Sequence, residues 1–308
     1  NGLELGITGY MFPRQNDFQW DVTLNLARNK TTIAKLGNGG RDYIFGNYAF
    51  VEGRPAFQYY TYEYLGPLQD VNDLPVNPMT GEPVKYLWAD AGLAINQQGK
   101  IFPGMPLFID VNGDYLIDGG DYGYDKKIIE NKSPEPNIHG GLQTNLKYKD
   151  FTLSVQSSFA FGHYIFNTSL QHMLSQYDDN IKFFTDGLYD LSDSVDFWEQ
   201  PGDNAYYPMR YISYSDGGSS RSFRESSMFI EKGDYWSIDA ITLSYNFPQK
   251  FLRNTGIDRM NFYTTLQNAY MWKASNVPDP RIVSKNGYYN GQGYPINKNL
   301  AFGLNVQL

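Results

Sequence analysis

The densest run of hard oxygen donors in this 308-residue sequence lies between Asp110 and Asp121. With Asp110 as the first position, oxygen-bearing side chains recur at Asn112, Asp114, Asp118 and Asp121. Leu116 supplies a backbone carbonyl at the seventh position, and the eighth is the apolar Ile117. That spacing is the pattern of an EF-hand-like calcium loop, because Ca2+ takes about six to eight hard oxygen ligands. Clustered carboxylates repel one another and are stabilised once a cation neutralises them. Two positions depart from the pattern. Tyr115 stands where a Gly makes the sharp turn, and Asp121 is shorter than the bidentate Glu. The same residues also suit an acidic, solvated turn closed by its own Asx hydrogen bonds, and both readings stay open.

Other reactive residues are scattered. His139, His163 and His172 have neither H-E-x-x-H spacing nor a nearby carboxylate partner in sequence. Paired acids such as Asp178-Asp179, or Asp193 with Asp196, have the types a glycosidase uses, but read as solvated loop surface. No G-x-S-x-G, P-loop or Rossmann pattern occurs, so an enzyme is not expected. Five aromatic residues in presumptive loops, Trp198, Tyr206, Tyr207, Tyr288 and Tyr289, offer faces that stack on sugars or pack against a partner. Covering the loops' own core is an equal use for them.

The elements that hold these residues are strands. Phe18, Trp20, Val22, Leu24 and Leu26 alternate with Gln19, Asp21, Thr23 and Asn25, and a strand sends successive side chains to opposite faces. The same two-residue period runs through Leu3–Ile7, Ile138–Tyr148, Phe151–Phe159, Ile241–Phe247, Met260–Leu266 and Leu300–Leu308. Lys149-Asp150 reads as a tight hairpin between two of them. Runs of about 9 to 13 residues with one apolar and one polar face exceed ordinary soluble strands of about 5 to 6 and match the length that crosses a bilayer at a tilt. An aromatic share of 17% suits the girdles of a membrane barrel. No apolar stretch is long enough for a spanning helix.

Short connections alternate with long ones, as in outer-membrane barrels with short periplasmic turns and long external loops. Counting back from the carboxyl end puts residues 273–298, 164–230 and roughly 67–136 outside, and 248–258, 149–150 and roughly 30–54 in the periplasm. About eight strands are expected. The fold class is therefore all-β, part of a large antiparallel transmembrane barrel with long extracellular loops; a soluble calcium-binding carbohydrate-recognition sandwich is the alternative. Cysteine is absent, which excludes disulfides and thiolate chemistry, and the net charge of −8 disfavours nucleic acid as a partner. The sequence opens on Asn1 with no signal-peptide pattern before the first strand, so an upstream portion is expected to have been removed by processing or fragmentation.

Several segments, taken together and in order, resemble the SusC/RagA family of TonB-dependent outer-membrane transporters. Asn1-Gly2-Leu3-Glu4-Leu5 and Asp17-Phe18-Gln19-Trp20 resemble its "N-x-G-x-E" and "D-F-x-W" strand starts. Phe108–Asp114 with Ile117-Asp118 resembles "D-V-N-G-D-G-x-I-D", and Pro134–Asn137 with Gly140-Gly141 resembles the segment after it. Glu231–Trp236 leading through Ile241–Tyr245 to Pro248, then Gln267-Asn268, Trp272 and the ending Phe302–Val306, complete the set. Leu308 replaces the usual terminal Phe, and Asp234-Tyr235-Trp236 with Ile238-Asp239-Ala240 replaces usual basic residues. The resemblance implies that residues 1–308 are the C-terminal barrel portion, with the plug, TonB box and signal peptide absent from this chain. It also implies an outer-membrane location, a companion N-terminal barrel and plug polypeptide, the TonB complex, and a SusD-like surface lipoprotein. Uptake of oligosaccharides or peptides would be the function, and a non-transporting scaffold that anchors surface lipoproteins is the alternative.

Overall fold

The computed structural model describes residues 1–12, 16–88, 102–119, 124–175, 195–209, 223–253, 255–294 and 296–308. It divides into two units, one of residues 1–32, 133–165 and 231–308, the other of residues 33–132 and 166–230.

The first unit is built on seven long strands: β1 (Gly2–Tyr10), β2 (Phe18–Asn29), β3 (Ile138–Tyr148), β4 (Phe151–Phe161), β5 (Tyr235–Asn246), β6 (Arg259–Lys273) and β7 (Asn299–Gln307). They pair in chain order as one antiparallel sheet with β1 and β7 at its edges. Register keeps the alternating faces coherent across the sheet, since a slip by one residue would send every apolar side chain to the wrong side. Val22 faces Thr144, which faces Val155, then Ile241, Leu266 and Leu300 in turn. Toward one end the same face carries a row of aromatic rings, Phe18, Tyr148, Phe151, Tyr245 and Phe262. Phe159, Trp236 and Trp272 make a second row toward the other end. The two rows are eight residues apart on β4, about 27 Å along the strand. An apolar band flanked by two aromatic girdles is the outer surface of a transmembrane barrel.

That face has no second layer. Leu243 is 45% exposed and Phe302 67% exposed. A soluble sandwich buries such a face against another sheet, so the sandwich alternative fails here. On this face Trp20 Nε1 donates to Thr144 Oγ1 at 2.8 Å. In hydrocarbon an unpaired donor has no water to turn to, and the pairing removes that cost. The opposite face is hydrophilic, with Asn145 Nδ2 donating to Asp21 Oδ2 at 2.8 Å, and Thr8–Thr23 and Thr242–Thr265 hydroxyl pairs at 3.1 and 2.9 Å. Its position opposite the apolar band makes it the lumen wall. The sheet is not closed within this chain, and its open edges need further strands in a membrane. Among the described residues no helix is long and apolar enough to cross a membrane.

The two-residue hairpin at Lys149-Asp150 forms as expected, with Lys149 at φ 53, the left-handed conformation such tight turns demand. The expected periplasmic turn within 30–54 does not form. Residues 30–137 leave β2 and enter β3 at one end of the sheet, because Ala27 pairs with His139. The other end is closed by residues 11–17, 149–150 and 247–258. Residues 43–67 form strands Tyr43–Phe45, Tyr48–Phe50, Gln58–Tyr62 and Tyr64–Pro67, of three to five residues, too short to span. The long sheet therefore has seven strands where about eight were expected.

The second unit contains a four-stranded sheet in the order Lys126–Ile128, Gln58–Tyr62, Tyr48–Phe50, Tyr43–Phe45. Two further pairs accompany it: Tyr64–Pro67 with Pro106–Phe108, and Lys85–Trp88 parallel to Leu116–Gly119. Tyr59, Tyr62, Phe108, Phe166 and Phe229 are buried together with Ile117 and Met228 in this unit's interior. The two segments of the unit are joined by polar contacts: Asn47 Nδ2 donates to Glu225 Oε2 at 2.6 Å, Tyr64 N to Ser227 Oγ at 2.9 Å, and Thr61 Oγ1 to Glu225 O at 2.9 Å.

Candidate functional site

The lumen wall is interrupted at one place. Between β4 and β5 the register steps from Gln156 opposite Ala240 to Ser157 opposite Ile238, leaving Asp239 as the extra residue of a bulge. On β6, Asn268 answers it with φ 51. The bulge aims Asp239 at a guanidinium from the loop that joins β6 to β7. Arg281 NH1 donates to Asp239 Oδ1 at 2.8 Å, and its Nε and NH2 donate to Asp279 Oδ1 and Oδ2 at 3.0 and 2.8 Å. Ser237 Oγ donates to the same Asp239 oxygen at 2.5 Å, and NH2 also reaches Asn268 Oδ1 at 3.5 Å. The hydrogen bond to Asp279 holds the Arg281 pKa above its ordinary value, with the charges of Asp279 and Asp239 adding to it.

Asp279 has a second duty. Its carboxylate accepts from Arg281 N at 2.9 Å and caps the one-turn helix Pro280–Ile282. Beneath this turn Ile165, Val277 and Tyr289 form a small core with Ile282 and Val283 against it. The 274–298 loop is thus fastened to the bulge by charge and filled by its own apolar residues. Sequence reading did not find this cluster. Its only signal was Asp279-Pro280, a helix-start pair, which says nothing of where Arg281 reaches.

At the start of the β4–β5 connection His163 is packed on Gly233, where any Cβ would overlap its ring. Gly233 N donates to His163 O at 2.8 Å, and Gly162 N donates to Asp234 Oδ1 at 2.6 Å. Burial pushes the His163 pKa down, while the nearby Asp234 charge opposes that shift. Because the folded-state pKa is the lower one, the unfolded chain takes up a proton first, and stability falls as pH drops below about 6.5 toward the folded value. We expect the melting temperature to decline between pH 7.5 and 5.5, and His163→Phe to flatten that decline. An unchanged slope in the variant, read by differential scanning fluorimetry, would remove His163 from the account.

The Asp110 loop belongs to the second unit and closes on itself. Asp110 accepts from Gly113 N at 2.7 Å and Tyr115 N at 2.8 Å, and Asp114 accepts from Leu116 N at 2.8 Å and Asn112 Nδ2 at 3.0 Å. Asn112 Oδ1 accepts from Asp114 N at 2.9 Å. Tyr115 takes φ 64, so the turn that a Gly usually makes is formed by a Tyr. Ile117 is fully buried, and its strand pairs in parallel with Lys85–Trp88. Asp118 lies on that strand, and Asp121 lies outside the described residues. Among the described residues no three His, Cys, Asp or Glu side chains converge on a metal position.

The five loop aromatics separate by burial. Trp198, against Gly104, donates from Nε1 to Gln69 Oε1 at 3.1 Å and is buried, as is Tyr207. Tyr289 belongs to the small core under Arg281, and Tyr288 is half-buried beside it. Tyr206 is 49% exposed, with its ring edge-on to Tyr207 at 5.0 Å and its hydroxyl donating to Met228 O at 3.2 Å. Of the five, Tyr206 presents the most surface to a ligand.

No family model matches the chain. It is 25% identical to TonB-dependent receptor P3 of Formosa agariphila over 98% of its own length and 27% of that protein's. To TonB-dependent receptor SusC of Bacteroides thetaiotaomicron it is also 25% identical, over 94% of its length and 24% of SusC. Among solved structures it resembles the RagAB peptide transporter with a TM-score of 0.64 at 17% identity, covering 98% of this chain and 28% of that one. The RagAB peptide importer in its open-open state gives 0.63 at 16% identity. The chain spans about a quarter of the length of the relatives it matches. With strand pairing, girdles and long loops all agreeing with those matches, the chain is a barrel portion of a TonB-dependent receptor of the SusC/RagA kind, located in the bacterial outer membrane.

Proposed function

We propose that this chain supplies part of the lumen wall and extracellular loops of a TonB-dependent importer that takes up oligosaccharides or peptides together with a SusD-like surface lipoprotein. The observation that carries the reading is the match to TonB-dependent receptors along nearly the whole chain, on a sheet with a hydrophilic inner wall. The polar wall suits passage of a hydrated cargo, and the long loops suit a partner that covers the entrance. The remaining barrel, the plug and the TonB-docking segment would come from the rest of the receptor.

The test uses the complete receptor in its own outer membrane. Deleting the gene should abolish growth on its cargo as sole nutrient, deleting TonB should do the same, and mild-detergent pull-down should bring a SusD-like lipoprotein with it. Stable lipoprotein association with no loss of uptake on any oligosaccharide or peptide mixture would favour the scaffold alternative instead.

The Asp110–Asp121 loop is the candidate Ca2+ site in this reading. Each carboxylate oxygen of Asp110 and Asp114 gives one lone pair to the turn and keeps another for a cation. With a full ligand set from Asp110, Asn112, Asp114, Leu116, Asp118 and Asp121, calcium should stabilise the receptor, and Asp110→Asn should weaken binding by about tenfold or more. Calorimetric titration of the chelator-treated receptor measures this; absence of heat with an unchanged melting temperature would leave the loop as a self-closed acidic turn.

A further inference from the structure

Loop 274–298, which counting strands puts outside, reaches below the outer end of the sheet. Asp239 lies three residues along β5 from Trp236 of the outer aromatic row, about 10 Å along the strand toward the middle of the apolar band. Arg281 meets Asp239 there, so the loop that carries Arg281 comes down with it. The contact is on the lumen face. Register sets Ser237 opposite Ser158 on the polar side of the sheet, where the two hydroxyls pair at 2.9 Å, and Ser237 Oγ donates to the same Asp239 carboxylate. A guanidinium on the other face would lie in hydrocarbon.

The loop also crosses the wall. It starts after β6, and its first residues bend over the beginning of β5: Ala274 N donates to Asp234 O at 2.9 Å, Asn276 N to Glu231 Oε2 at 2.6 Å and Lys273 Nζ to Val277 O at 2.5 Å. Val277 and Tyr289 then pack on Ile165, four residues past the end of β4. That direction leads away from β7 and the open edge, so the placement does not depend on strands outside this chain. The return arm lies on the outgoing one. A Cβ on Gly293 would come within 2.9 Å of Ile282 Cδ1, and Asn268 Nδ2 donates to Asn297 O at 2.9 Å. Beside these contacts Ser237 is 1% exposed, although its side chain is on the lumen side.

We propose that loop 274–298 is a fixed constriction inside the barrel, narrowing the passage in front of β4 to β6 so that cargo meets the loop there and not the wall. The bonds of Arg281 to two carboxylates and a small apolar core hold it, and neither depends on cargo. Its exposed side chains Ser284, Lys285, Asn290 and Gln292 are hydrogen-bonding groups, suited to a hydrated cargo. Lys285 stands in a tight turn, where Gly287 N donates to Ser284 O at 2.8 Å and Tyr288 N to Ser284 Oγ at 3.0 Å. That cargo passes here rests on the importer reading; the position of the loop does not.

The test reads access to the loop on the whole receptor in mild detergent. This chain has no Cys, so a Lys285→Cys receptor, compared with its parent, reports on that turn alone. Lys285→Cys should react with a small maleimide dye and stay closed to a maleimide on a polymer wider than the barrel mouth. Met79→Cys, at a position 93% exposed in the second unit, should react with both. On cells, dye coupled at Lys285→Cys should stop uptake from a mixed oligosaccharide and peptide supply, because it adds bulk where the passage is narrowest; dye at Met79→Cys should leave uptake intact. Polymer labelling of Lys285→Cys at the Met79→Cys rate would put the loop outside and overturn the proposal. So would labelling by neither reagent, or a dye-coupled loop with uptake unchanged. A receptor that takes up nothing before labelling refutes the importer reading instead, and the two reagents still decide where the loop lies. Both variants replace exposed side chains that make no ion pair among the described residues, so assembly, checked by heat-modifiable migration, should match the parent.

Discussion

Ile241→Arg should leave most of the receptor unassembled. Ile241 sits in the middle row of the lipid-facing band, between Val155 and Leu266 and midway between the two aromatic girdles. A cation at the bilayer midplane of a strand barrel costs about 2–4 kcal/mol, and there is no lumen within reach of the side chain to relieve it. The control is Gln143→Arg, one face away on β3, where the side chain points to water and the effect should stay within about 0.5 kcal/mol. Heat-modifiable migration and outer-membrane yield measure both. If the two arginines were tolerated alike, the assignment of the apolar face to lipid would be wrong.

The second large effect is expected at Arg281. Its three nitrogens bind two carboxylates, and hydrogen bonds to charged groups are worth about 1.5–3 kcal/mol where water is partly excluded. Asp239 is about a third exposed, so the sum for Arg281→Ala is taken at the lower end, about 2–3 kcal/mol. The variant would also leave Asp239 and Asp279 without their shared cation. Loop 274–298 should then become sensitive to limited proteolysis, while the strands keep their protection. Arg281→Lys should recover less than half of the loss, because a single ammonium cannot bridge both carboxylates as the planar fork does. Since the Arg281 pKa is raised in the folded state, its contribution is fully present below the ordinary arginine range and is lost only as pH climbs through the raised value. Proteolysis of the loop should accordingly show no alkaline onset up to about pH 11. An onset near neutrality would point to another titrating group.

Strands were legible wherever one face was apolar and the other polar, as in Phe18–Leu26 and Phe151–Phe159, because burial on one side writes itself into every second residue. The hairpin at Lys149-Asp150 was legible because two such runs nearly touch in sequence. Tyr43–Leu65 shows no such period because its short strands lie in a differently built unit where both faces of Gln58–Tyr62 are largely covered. The site was harder to read. Asp239 looks like an ordinary departure from the family's basic residues until the bulge turns it toward Arg281, more than forty residues along. A bulge is a backbone event set by pairing, and pairing is not written in either strand alone. The reverse held for the Asp110 loop, whose local Asx hydrogen bonds depend only on neighbouring residues and were anticipated from them.

The two-residue hairpin also bears on assembly. Residues 30–137 lead into β3 and residues 162–234 lead out of β4, so the two long segments of the second unit begin and end on strands that the hairpin makes neighbours. Closing a loop of about a hundred residues costs about 3.5 kcal/mol more than closing one of two, on the logarithmic dependence of closure entropy. β3 and β4 should therefore zip first. Once they have, the encounter of the two segments is no longer a search between distant stretches of chain but a meeting at an effective concentration in the millimolar range. The contacts of Asn47 and Thr61 with Glu225 then form between partners already held together. The turn at Lys149-Asp150 thereby sets the speed at which the extracellular part of the molecule takes shape.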